Sequence, residues 1–439
     1  MAALGRFAAA IGATMWLAVV AAAAQTPPSP GAHLGVATCR GSNCHGATER
    51  PAGSVVAGNE YSIWSSRDKH RKAYTVLLEK PAVMMARALG LPDAVNQKLC
   101  LGCHSDDVPA AQRGPQFHLS DGIGCEACHG GAATWLGVHI AGASHRANLA
   151  AGLYPLEQPV ARAEKCLGCH LGDANRFVDH RLYGAGHPRL AFELDTFTAI
   201  EPAHFVVDQS YIQRKGRITD TQVWAAGQAV SVVKRMTALL DPRHAHPGLF
   251  PEFAFYDCQS CHHTEAPLHG PRPTATGLGP GTVKLDDANA VMLQLAATQV
   301  APNAARALGE HLRALSQAAA GDGAAVEREA AAVRQTAAAL VGPLAARDAT
   351  VADLRALADS LFALGRTPDE WRFSHAEQTT MALEAIVTAL KSSGQFDAPH
   401  SAAVKKAMDA LYASFATEAS FRPEAFAAAL RDLHQAIAR

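Results

Sequence analysis

The 439-residue chain is short of aromatic side chains, at 6%, and of charge, at 18%. Neither sign dominates: 39 Lys and Arg stand against 40 Asp and Glu, a formal net charge of −1. That balance excludes a basic nucleic-acid footprint. With 49% hydrophobic residues, wholesale disorder is excluded too. After residue 24 no apolar run is long enough to span a bilayer. Strand signals are scarce and no βαβ pattern is visible. The length corresponds to about two to three domains, enough to bury a core without disulfide staples.

The first 24 residues differ from the rest. Met1 to Ala24 carries a single charge, Arg6, followed by an apolar run from Phe7 to Ala24. Ala22 and Ala24 suit cleavage before Gln25, which completes the three-part pattern of a signal peptide. The chain is therefore expected in the periplasm. An uncleaved membrane anchor is the other reading, since 18 residues is the lower limit for a span. Residues 25–31 (QTPPSPG) form a Pro-rich leader.

All ten cysteines fall in pairs, and the second of each pair is followed at once by histidine. Four pairs have the same form: Cys100–Cys103–His104, Cys125–Cys128–His129, Cys166–Cys169–His170 and Cys258–Cys261–His262. The fifth, Cys39–Cys44–His45, has four intervening residues, Arg40-Gly41-Ser42-Asn43. With 10 cysteines and 21 histidines in 439 residues, chance supplies about 0.01 C-x-x-C-H strings. The pattern is that of c-type haem attachment. Two thiols add to the two vinyl groups of one haem, so they must sit about one helical turn apart. The adjacent imidazole then lies under the ring as proximal iron ligand. In the fifth pair, the small residues Gly41, Ser42 and Asn43 make a two-residue bulge feasible. Zinc sites and disulfides would each leave five obligatory histidines unexplained, and a thioredoxin-like use expects one motif on a βαβ unit. Five c-type haems are therefore expected.

Of the 16 other histidines, 12 lie between His33 and His269. Such clustering is what bis-histidine ligation requires. His70 follows Trp64 on an expected helix, and His139 trails the third motif by ten residues. His180 and His187 flank a Gly-rich turn. These four are the candidate distal ligands. His118, His145, His204, His263 and His269 have less context.

The motif order resembles the cytochrome c-554 family of multihaem cytochromes. The resemblance covers roughly residues 34–172. It rests on the first motif, Trp64 with His70, the second motif, and the block Gly122-Ile-Gly-Cys125-Glu126-Ala-Cys128-His129-Gly130 with His139 trailing, then the fourth motif. The resemblance implies helical, loop-rich wrapping of closely stacked haems, periplasmic electron transfer, and mostly bis-histidine iron with sometimes one open haem. Three features depart from it: the wide first motif, the added fifth motif with the His180–Leu194 segment, and a long tail. No motif ends in lysine, which is the mark of the related nitrite reductases. The tyrosine cross-link of the related hydroxylamine-oxidising enzymes is not identifiable.

The expected class is all-α: a loop-rich multihaem cytochrome c domain (32–270), a linker (271–284) and an Ala-rich helical bundle (285–439). Between His187 and Cys258 one helix, Asp220 to Leu240, is expected. Seven are expected from Asp286 onward, with breaks at Gly321-Asp322-Gly323 and Gly342-Pro343. The bundle is read as a cap, with dimerisation or partner docking as alternatives. Removing residues 1–24 with Arg6 takes the charge from −1 to −2, and ten propionates would add roughly −10. Redox partner proteins with a positive docking face are therefore expected. Two functions follow. One is an electron carrier between redox partners. The other is an oxidoreductase whose one open haem acts on a small nitrogen or sulfur oxyanion, nitric oxide or hydroxylamine.

Overall fold

The computed structural model describes residues 31–50, 52, 54, 56–173, 175–245, 251–262, 283–319, 321–364 and 371–438. The expected signal peptide, most of the expected leader and linker, and His246, His263 and His269 lie outside them. Among the described residues there are helices and three isolated bridges, with no strand. The class is all-α.

The centre of the molecule is the helix Asp220–Leu239. Thr219 and Gln222 form a reciprocal capping box at its start, satisfying two backbone donors. Thirteen of its twenty residues are buried. It is apolar nearly all round because it is surrounded: helices 159–170, 194–200, 288–298, 323–346 and 373–392 all pack on it. Although it precedes the linker, it shares one hydrophobic core with the C-terminal helices. Gly227 makes this closeness feasible. A Cβ there would stand 2.7 Å from Leu194 Cβ.

The C-terminal helices are Ala288–Thr298, Pro302–Ala318, Gly323–Ala346, Val351–Leu364, Phe373–Ser392, Ala398–Ala413 and Pro423–Ile437. Asp322 and Asp397 cap two of them. The expected break at Gly342-Pro343 does not occur, and the helix runs on to Ala346. Proline removes one bond of the ladder, but Leu340 and Leu344, both buried in the core, hold the final turn in place.

One polar layer crosses this core. Asn289 Nδ2 donates to Gln228 Oε1 at 2.8 Å, and Gln228 Nε2 donates to Gln378 Oε1 at 2.9 Å. Gln378 Nε2 in turn donates to the Phe192 carbonyl at 3.1 Å. A satisfied buried network fixes the register of its elements. Here it locks the bundle to the 187–194 segment, which carries a candidate ligand.

The residues before 194 are organised differently. Their elements are short helices and turns, and their apolar clusters are small: Leu77, Ala82, Ala86, Ala94 and Leu101 form one. Polar groups do much of the joining. Trp64 Nε1 donates to the Ile123 carbonyl at 2.9 Å, tying the helix Glu60–Arg67 to the third motif. The buried Glu126 carboxylate accepts three backbone N–H groups, of Leu34, Gly35 and Ala132, each at 2.7 Å.

Candidate haem-binding site

Three of the four regular motifs lie on α-helix. The helix Lys98–His104 carries the second motif, Cys125–His129 is the third, and Pro159–His170 ends with the fourth. Residues three and four apart share one helix face, so both thiols and the following imidazole of each motif point to the same side. Cys258–Ser260 of the last motif is a single 3-10 turn. The wide first motif reaches the same end by a folded turn. His45 N–H donates to the Cys39 carbonyl at 3.3 Å and Gly46 N–H to the Gly41 carbonyl at 2.9 Å. A Cβ on Gly46 would meet the Arg40 carbonyl oxygen, so only glycine permits this turn.

The histidines come together across long stretches of sequence. His45 and His139 have ring centres 5.8 Å apart. For His70 and His170 the separation is 6.1 Å, for His104 and His187 it is 6.4 Å, and for His180 and His262 it is 6.2 Å. With a metal–nitrogen bond of about 2 Å and roughly 1 Å from nitrogen to ring centre, two imidazoles sharing one metal have centres about 6 Å apart. Each pair joins one motif histidine to one candidate distal histidine, and all four distal candidates are used.

The ring nitrogens fit as well. His45 Nδ1 bonds to Glu60 Oε2 at 2.9 Å and His70 Nδ1 to Asp68 Oδ1 at 3.0 Å. His104 Nδ1 bonds to the Ala73 carbonyl and His187 Nδ1 to the Pro188 carbonyl, both at 2.8 Å. Engaging Nδ1 fixes the tautomer and leaves Nε2 as the metal-binding atom. A ligand imidazole must be neutral. Burial pushes His170 and His129 down to about 4, and it also lowers His139 and His187. Hydrogen bonding to Glu60 raises His45, and hydrogen bonding to Asp68 raises His70. Asp68, His70 and Glu201 have ligand atoms within 4.8 Å of one another. This cluster is the support of His70.

Among the described residues no second imidazole ring pairs with His129. The charges of His204 and Lys215 reach it. His145, by contrast, spends Nε2 on Glu157 at 2.9 Å.

The motifs are also close to one another out of sequence order. The Cys39 and Cys125 thiols are neighbours that influence each other electrostatically, which brings motif one beside motif three. Cys103 Sγ lies 4.0 Å from the Cys169 carbonyl oxygen and Cys169 Sγ 3.9 Å from that of Gly102, which brings motif two beside motif four. Cys128 and Cys166 are within electrostatic reach of each other. Sequence reasoning missed Glu126, Glu60 and Asp68. Glu126 had a signal, its place inside the third motif block, and Asp68 had one, lying two residues before His70; Glu60 is an ordinary acidic residue whose partner only the fold supplies.

Five thiol pairs with following imidazoles, four of them facing a second imidazole, define a c-type cytochrome, a haem-iron protein of electron transfer. Residues 39–130 match the family model described as cytochrome c554 and c-prime, which supports a multihaem cytochrome of that kind. No curated protein and no solved structure gives a significant match. No helix among the described residues is long and apolar enough to cross a membrane.

Proposed function

We propose that this chain is a periplasmic five-haem cytochrome that carries electrons between redox partner proteins. The four imidazole pairs at 5.8–6.4 Å are the observation that supports this reading. When bound, c-type haem supplies a one-electron Fe(III)/Fe(II) couple. The chain's residues do the rest. The ten cysteines would anchor the groups, and the pairs His45 with His139, His104 with His187, His170 with His70 and His262 with His180 would hold the irons. An iron held by two imidazoles would rearrange little on electron transfer. The thiol contacts favour a path through the motifs in the order one, three, four, two. His187 and His180, seven residues apart, continue it from motif two to motif five. The haems replace the apolar core that the residues before 194 otherwise lack. Residues 1–24 direct export, and the C-terminal helices cap the array or support self-association.

A second reading is favoured by His129. Lacking an imidazole partner among the described residues, it would hold an open haem, with His204 and Lys215 as groups able to bind anions or supply protons. A pyridine haemochrome count with an EPR spectrum of the oxidised holoprotein tests both. Five haems, all low-spin, are expected for the carrier. A high-spin component that shifts with nitrite, nitric oxide or hydroxylamine would establish the second reading in its place. A count of four would remove the Cys39–Cys44 site.

A further inference from the structure

The axial pairs differ in what holds their Nδ1 atoms. The His70/His170 pair is backed by a carboxylate, Asp68, with Glu201 in the same cluster. The His45/His139 pair is backed by one carboxylate, Glu60. The His104/His187 pair is backed by two neutral backbone carbonyls, of Ala73 and Pro188. We propose that Asp68 and Glu60 set an order of reduction potentials, lowest at the fourth motif, next at the first and higher at the second. The inference rests on the axial pairs proposed above.

The physical reason is a charge difference. Ferric iron carries one positive charge more than ferrous iron, so a fixed anion nearby favours the ferric state. A carboxylate that accepts the Nδ1 proton also makes the imidazole a stronger donor, in the same direction. A neutral carbonyl orients the ring without adding a charge. Burial decides the rank of the two carboxylates. The Asp68 side chain is 8% exposed and that of Glu60 22%, so solvent screens Asp68 less. Neither residue touches the iron; each acts through its imidazole. The low-potential fourth motif then lies next to motif two on the proposed path, and electrons leave it toward motif two.

The test is a potentiometric titration of the holoprotein, followed optically and by EPR. Asp68→Asn keeps an oxygen for the His70 N–H but removes the charge, and raises one haem component. Glu60→Gln raises a different component by a smaller amount. Asp409→Asn, the same loss of charge on an exposed bundle helix, moves neither. Variants with five low-spin haems and unmoved potentials would overturn the inference while leaving the carrier reading intact. A wild-type protein without low-spin bis-imidazole signals would instead remove the reading beneath it. Should Asp68→Asn turn one haem high-spin, the role of Asp68 is to hold His70 in place. Glu60→Gln, at a more exposed site, then decides: a raised component supports the inference and an unmoved one overturns it.

Discussion

Replacing Glu126 with alanine removes a buried carboxylate from the middle of the third motif. The residue is 3% exposed. Oε1 accepts from Leu34 N and Ala132 N, and Oε2 from Gly35 N. These three donors belong to two loops, one leading into Cys39 and one leaving His129, so a single side chain clasps motifs one and three. A hydrogen bond to a charged group contributes about 1.5–3 kcal/mol, and orphaned buried donors cost more than lost contacts. Allowing for partial rescue by water, Glu126→Ala costs about 4–6 kcal/mol, a large part of the 5–15 kcal/mol by which most domains are stable. Glu126→Gln retains one oxygen and turns an amide against one of the donors, costing about 1–3 kcal/mol. Urea unfolding of the holoprotein, followed by Soret circular dichroism, measures both. The order expected is wild type, Gln, then Ala. If Glu126→Ala lies within about 1 kcal/mol of wild type, the clasp is not what holds the two motifs together.

Gly227→Ala is expected to destabilise by about 1–3 kcal/mol, despite alanine's better helix propensity, because its Cβ would press on Leu194 Cβ at 2.7 Å; a raised melting temperature would refute this. Acid stability is expected to depend on Asp287. Burial alone would raise its pKa, but Arg372 at 2.7 Å and His375 at 3.0 Å outweigh that and hold it below the usual carboxylate range. A depressed folded pKa stabilises fully above the unfolded value, about 3.9, and that stability is lost as pH falls below it. Unfolding free energies measured from pH 6 to pH 2 should therefore fall below about pH 4, and Asp287→Asn should flatten that fall.

The motifs and the helices were legible in the sequence because both are local. A cysteine, another three residues on and a histidine next share a face as soon as one turn forms. The apolar spacing of Val351 to Leu364 likewise marks a helix whatever surrounds it. Locality also explains the one misplaced break. Pro343 weakens a helix in isolation, and only the core around Leu340 and Leu344 keeps that helix whole.

By itself the sequence determined the five cysteine pairs, the histidine that follows each, the all-α class and the short list of distal candidates. Tertiary structure alone decided which histidine meets which. His70 lies 100 residues from His170, and His180 lies 82 from His262, so no periodicity links them; the pairing depends on how helices 159–170 and 220–239 pack and on clasps such as Glu126. The same holds for the supports of the imidazoles. Glu60 is an ordinary acidic residue until the fold brings His45, 15 residues away, against it, since a hydrogen bond depends on distance in space and not in sequence.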